Sequence, residues 1–166
     1  MVARHSVATL FFDDLTLGDE WESPARTVTE SDVVAFAGLS GDYNPIHVDH
    51  ESCKEGAFGH PIAHGLLGLA FVSGLGSASP RVDTMAFLAI LEWEFVRPIA
   101  FGDTVHVLSR VESIEPRSRG RRAEVIWHRA LLNQRGEVVQ QGRTRTLVRG
   151  RAALPPPAAG DRTPES

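Results

Sequence analysis

The sequence predicts an α+β fold in which a curved antiparallel sheet wraps around one long apolar helix. Three observations carry that expectation. The stretch from Gly65 to Gly76 reads Gly-Leu-Leu-Gly-Leu-Ala-Phe-Val-Ser-Gly-Leu-Gly, apolar on nearly every face of a helix and without a charge; such a helix has to be buried all round. Most of the chain after it runs in long segments that alternate apolar and polar residues, the period of strands with one buried face. Two of those segments are joined by Asn133-Gln134-Arg135-Gly136, which has hairpin-turn chemistry and makes its neighbours antiparallel.

The elements follow in order. Thr29-Glu30-Ser31-Asp32 places a capping hydroxyl three residues before a carboxylate, so a helix is expected over residues 30 to 38, leading into Val33, Val34, Phe36 and Ala37 and stopping near Gly38. Asp49 is placed to cap a short turn over His50 to Lys54. The apolar helix begins after Pro61 and is closed by Gly76 and Pro80. Met85 to Ile90 is an apolar run, Glu92-Trp93-Glu94-Phe95 alternates, Val105, Val107 and Val111 open another segment, and Ala123 to Leu132 and Glu137 to Val148 complete a meander. Nothing else in the chain is free to cover the helix, so the sheet must curve around it, the arrangement called the hotdog fold. Residues 1 to 150 are read as one domain. Residues 151 to 166, with Pro155-Pro156-Pro157, are expected to lack fixed structure.

Composition sets outer bounds. A chain of 166 residues and 18.1 kDa with 42% hydrophobic and 23% charged residues suits one ordinary globular domain. A single cysteine, Cys53, rules out an intramolecular disulfide, and with no leader-like start a cytoplasmic location is expected. The most apolar stretch, Gly65 to Leu75, is shorter than the ~20 residues of a bilayer span, so no membrane anchor is expected. Residues 1 to 102 hold 5 basic against 14 acidic side chains, and residues 103 to 166 hold 12 against 7. Arginine supplies 16 of the 17 basic residues, so the second half either attracts a phosphate-bearing thioester or an acidic carrier protein, with Arg119, Arg121 and Arg122 as candidate contacts, or presents solvated strand edges. Without aromatic residues interleaved among the arginines, nucleic acid is not expected as a partner.

The chemistry concentrates between the helices, in Gly41-Asp42-Tyr43-Asn44-Pro45-Ile46-His47-Val48-Asp49-His50. Pro45 stiffens the loop and pushes Asn44 toward extended geometry, holding Asp42 and His47 apart at a fixed spacing. A carboxylate beside an imidazole can take a proton from water and deliver one to carbon near neutral pH. Gly65, at the start of the apolar helix, offers an N–H to a developing oxyanion, because helix N-termini collect unpaired donors and a glycine admits a ligand closely. Ser73 is a candidate to orient Asp42, or else to satisfy its hydroxyl on its own helix backbone. Tyr43 and Phe58 are read as pocket walls, and His64 as a helix-start residue bonded to the loop. A metal site among His47, Asp49, His50, His60 and His64 has no recognised zinc spacing, and Cys53 lacks an adjacent base other than His50.

The loop Gly-Asp-Tyr-Asn-Pro-Ile-His-Val-Asp, followed by His-Pro-Ile-Ala-His-Gly-Leu-Leu, resembles the MaoC-like, (R)-specific enoyl-CoA hydratases over roughly residues 10 to 148. The resemblance implies that Asp42 and His47 act on the catalytic water, that Asn44 supports them, that Gly65 N–H binds the thioester oxygen and that Ser73 neighbours the catalytic aspartate. It also implies a homodimer or dimer of dimers, an acyl-CoA or acyl-carrier-protein thioester as substrate, and no metal or redox cofactor. Two other readings compete. A hotdog thioesterase would want a carboxylate on the central helix, and Gly65 to Ser79 has none; a non-catalytic acyl-binding subunit would have no need to retain both Asp42 and His47.

Overall fold

The computed structural model describes residues 9–153. In chain order these form β1 (Glu20–Glu22), β2 (Arg26–Thr27), α1 (Glu30–Ser40), α2 (Pro45–Val48), α3 (His50–Lys54), α4 (Gly65–Ala78), β3 (Thr84–Phe95), β4 (Thr104–Arg117), β5 (Arg122–Leu132) and β6 (Val138–Arg149). The strands make one antiparallel sheet in the order β1-β4-β5-β6-β3, with β2 beside β4. Helix α4 lies in its concavity, which is the expected hotdog arrangement. Strands β1 and β2 escape a reading by periodicity because segments of three and two residues are too short to show one.

Helix α1 starts as its capping box requires: Asp32 N–H donates to Thr29 Oγ1 at 3.2 Å and Thr29 N–H donates back to the Asp32 carboxylate at 2.8 Å. Burial pushes the Asp32 carboxyl upward, but the Thr29 N–H and hydroxyl together with Arg26 outweigh it and hold the group below its ordinary range. The helix passes Gly38 and ends at Gly41, whose φ of 77° supplies the left-handed C-cap, with its N–H on the Ala37 carbonyl. That turn leads directly into Asp42.

The expectation that α4 is buried on every face needs correction. Leu67, Gly68, Phe71, Val72 and Gly76 pack on the sheet with Val28, Val33, Ile99, Val105, Val107, Leu131 and Val139. Leu66, Ala70, Ser73 and Ser77 remain exposed, because a single sheet wraps only one side of the helix. The glycines on the buried side are places where polar sheet residues press against the helix. A Cβ at Gly68 would lie 2.2 Å from Gln140 Nε2, and one at Gly76 would lie 2.8 Å from Arg129 Nη1.

The two runs expected before residue 96 form a single strand, β3, whose pairing with β6 slips at three points. It is an edge strand, and Met85, Phe87, Leu88, Ile90, Leu91 and Phe95 on it are all exposed apolar side chains. The Asn133–Gly136 hairpin forms as expected, with Asn133 Oδ1 accepting from Arg135 and Glu137 N–H. Of the tail read as unstructured, Arg151–Ala153 forms a 3-10 turn, with Arg151 N–H on Asp13 and its guanidinium on Asp14. Residues 154–166 lie outside the described residues. Among the described residues no helix is long and apolar enough to cross a membrane.

Candidate active site

The loop is built from its own short-range bonds. Asp42 N–H donates to Ser40 Oγ at 3.2 Å, Asn44 N–H donates to Asp42 Oδ1 at 3.2 Å, and Asn44 Oδ1 in turn accepts from Ile46 N–H at 3.2 Å. Asn44 is therefore the cap of α2, with Pro45 at its first position, and supports the site by starting the turn that carries His47. Asp49 caps α3 with its carboxylate on the Glu51 and Ser52 N–H groups, as the sequence suggests.

His47 Nδ1 lies 2.8 Å from the Ile62 carbonyl oxygen. A carbonyl only accepts, so Nδ1 carries the hydrogen and Nε2 is the nitrogen left for chemistry. Nε2 faces Asp42 Oδ2 at 4.0 Å, across a gap that admits one water bonded to both at roughly 2.8 Å. The imidazole is mostly sheltered, at 12% side-chain exposure, and the carboxylate is half open at 53%.

His64 does what was expected of it and more. Its Nε2 donates to the Asp42 backbone carbonyl at 2.8 Å, and its ring stacks on His47 with centroids 3.8 Å apart. It ties the start of α4 to the catalytic loop and backs the His47 ring. The residue is 2% exposed and its Nδ1 has no partner among the described residues. Asp42, His47 and His64 offer ligand atoms within 4.8 Å of one another, a cluster the sequence spacing did not single out. His64 Nε2 carries its hydrogen toward a carbonyl, so binding a metal through that nitrogen would break this bond.

Gly65, the first residue of α4, has no acceptor for its N–H among the described residues. Its carbonyl accepts from Gln140 Nε2 at 2.9 Å, and Gln140 Oε1 accepts from Trp93 Nε1 at 3.2 Å, fixing the start of the helix against the sheet. A Cβ on Gly65 would lie 2.8 Å from the half-exposed Phe95 ring, so a larger residue here has to displace that ring.

The remaining candidates fall into three sets. Ser73 makes no hydrogen bond to Asp42; it stands on the uncovered face of α4, eight residues and roughly 12 Å along the axis from Gly65. It lines a cavity of about 280 Å³ beside Arg129 and Thr144. Tyr43 and Phe58 do not line this cavity: Tyr43 is 60% exposed with its hydroxyl near Gly38, and Phe58 is 41% exposed. Arg119, Arg121 and Arg122 sit around the β4–β5 turn, at the end of β4 opposite the Ala100–Thr104 segment near the catalytic loop. Arg129, Thr144 and Gln140 were missed. The usable signal was the alternation Val125, Trp127, Arg129, Leu131, which puts an arginine at an inward-facing position.

The sheet wrapped on α4 and the loop pair at the helix start define a hotdog-fold domain with its candidate chemistry at a helix N-terminus. A family model, the MaoC like domain, matches residues 14–126, and the chain belongs to that family. An (R)-specific enoyl-CoA hydratase from Rhodospirillum rubrum, a hydro-lyase, is 32% identical over 142 residues, 85% of this chain and 93% of the relative. The solved structure of a monoamine oxidase regulatory protein from Archaeoglobus matches with a TM-score of 0.78 and 32% identity, over 86% of this chain and 95% of that one. A Mycobacterium tuberculosis protein with a double hotdog fold matches with a TM-score of 0.77 and 20% identity, over 92% of this chain and 48% of that one, a likeness of fold alone.

Proposed function

We propose that this chain is a hydro-lyase that adds water reversibly to a trans-2-enoyl thioester, carried by CoA or an acyl-carrier protein, to give the (R)-3-hydroxyacyl thioester. The observation that carries this is the 4.0 Å separation of His47 Nε2 and Asp42 Oδ2, beside a Gly65 N–H at the start of α4 that has no acceptor among the described residues. The (R) outcome and the thioester class rest on the family and on relatives such as the R. rubrum enzyme.

One turnover takes one proton into the pair and releases one from it. One member takes a proton from the bound water as the water oxygen bonds the β-carbon; the other gives a proton to the α-carbon. Proton exchange between the two across the gap restores the starting state. As the β-carbon is attacked, the thioester oxygen gains enolate charge, which the Gly65 N–H and the positive end of α4 stabilise. Each step uses only side chains, backbone and water, so neither a metal nor a redox cofactor enters the scheme. A cytoplasmic site of action accords with CoA or carrier-protein substrates.

The test is to incubate the protein with trans-2-butenoyl-CoA and longer homologues, following the conjugated absorbance and free thiol together. Loss of absorbance without thiol is expected. Thiol release without hydration would establish a thioesterase instead, and inertness toward every chain length would favour a binding subunit. The absence of a carboxylate on α4 disfavours the first alternative, and the intact Asp42–His47 pair the second.

The functional unit is proposed to be a homodimer, or a dimer of dimers. A 12-residue edge strand with six exposed apolar side chains is a template for pairing with another copy. Light scattering should return at least twice the 18.1 kDa chain mass; a monomer at micromolar concentration would remove this part of the proposal.

A further inference from the structure

Arg129 is an arginine that none of the described residues neutralises. It projects from the inward face of β5 toward α4 and is 8% exposed. Gly142 pairs with it on β6 and contributes no side chain, and Gly76 on α4 leaves the space that Nη1 enters. Among the described residues no carboxylate reaches it. Burial alone pushes its guanidinium down to about 10, so it stays cationic at neutral pH. Its Nε has no hydrogen-bond partner, and the Trp127 ring, 5.7 Å from the guanidinium carbon, is a weak substitute for one. A guanidinium buried without an anion is costly to desolvate, so its retention points to an anion supplied from outside.

The surroundings say what kind. Thr144 Oγ1 is a second buried polar atom without a partner, and both groups line the same cavity of about 280 Å³. Its other walls are almost wholly apolar, among them Leu66, Leu69, Ala70, Phe87 and Ile90. The cavity begins beside Leu66, next to Gly65, and runs along α4 to Ser73 and the arginine. A second lobe of about 220 Å³ continues past Arg129 to Gly76 and Trp127. An acyl chain with its thioester oxygen at Gly65 N–H would run along the apolar walls and bring its far end to Arg129.

We infer that Arg129, with Thr144, forms an anion subsite in the acyl pocket, so that this protein selects enoyl thioesters whose acyl chain ends in a second carboxylate. The guanidinium fork and the threonine hydroxyl are the donors a carboxylate accepts from, and apolar walls before them fit the intervening methylenes. This rests on the proposed hydration for the direction in which the acyl chain lies. The presence of the anion subsite itself rests on the two unpartnered groups.

The experiment measures binding, so that it stands apart from turnover. Saturated CoA monothioesters of dicarboxylic acids, across a series of chain lengths, are titrated calorimetrically into the wild-type protein beside methyl-ended acyl-CoAs of equal length. At the length that spans the cavity, the carboxylate-ended thioester is expected to bind about 10- to 100-fold more tightly. Arg129→Met should abolish that preference and Arg129→Lys should keep part of it. Equal or weaker binding of the carboxylate-ended series by the wild type at every length overturns the inference, as would follow if a carboxylate of a second copy already occupies Arg129. The wild-type comparison decides the matter even if Arg129→Met does not fold. A preference without hydration of the corresponding enoyl thioesters sustains the subsite and sinks the hydratase reading; hydration without a preference does the reverse.

Discussion

Asp42→Asn and His47→Gln should each lower kcat for enoyl-CoA hydration by about 10²- to 10⁴-fold, the range that a positioned general acid or base contributes. Neither substitution should disturb the loop. Asn can accept the Asn44 N–H through Oδ1 as Asp42 does, and the Gln amide can still donate toward the Ile62 carbonyl that orients His47. Thermal midpoints should therefore stay close to wild type while kcat collapses, with KM changed only a few-fold, since the lost interactions belong to the transition state. Combining the two changes should cost little more than either alone, because removing one member already prevents the pair from taking up one proton and releasing another. Wild-type kcat in either single variant would refute the assignment.

The second large effect concerns Gly65. Gly65→Pro removes the N–H assigned to the oxyanion at a position where proline is otherwise tolerated. Gly65 is the first residue of α4, and His64 before it already has φ −58° and ψ 135°, the extended geometry that a following proline favours. Gly65→Ala adds a Cβ against the half-exposed Phe95 ring but keeps the N–H. If the backbone donor stabilises the enolate, kcat/KM falls by about 10²- to 10³-fold in the proline variant and far less in the alanine variant. Equal losses in the two would show that glycine is needed only for packing against Phe95, and the oxyanion role would fall.

The catalytic loop was legible because its chemistry is local. A capping box, a stiff Asn-Pro step and a short cap at Asp49 each act over three or four residues, so sequence spacing translates almost directly into the positions of Asp42 and His47. The apolar helix and the hairpin were legible for the same reason. What escaped depends on which residues meet across the fold. Gly38 resembles a helix stop but is passed, because the left-handed φ that ends a helix occurs at Gly41. Ser73 lies on the same helix as Gly65, yet in one chain it faces a cavity beside Arg129, since α4 carries it two turns away from the loop. His64 looked like a helix-start residue in sequence; its stacking on His47 and its bond to the Asp42 carbonyl exist only because α4 returns to the loop. Arg129 lay within a basic run that reads as solvated strand surface, and only strand register shows it facing inward opposite Gly142.

The central claim is that Asp42 and His47 act together from one side of the double bond. Hydration of trans-2-butenoyl-CoA in D₂O tests it most directly. A water held between Nε2 and Oδ2 puts its hydroxyl on the β-carbon while the pair delivers a deuteron to the α-carbon from the same face, so proton coupling constants should report a single syn-labelled 3-hydroxybutanoyl-CoA. An anti or scrambled label would mean that the two proton transfers come from opposite faces or from solvent, and that the loop pair does not carry both.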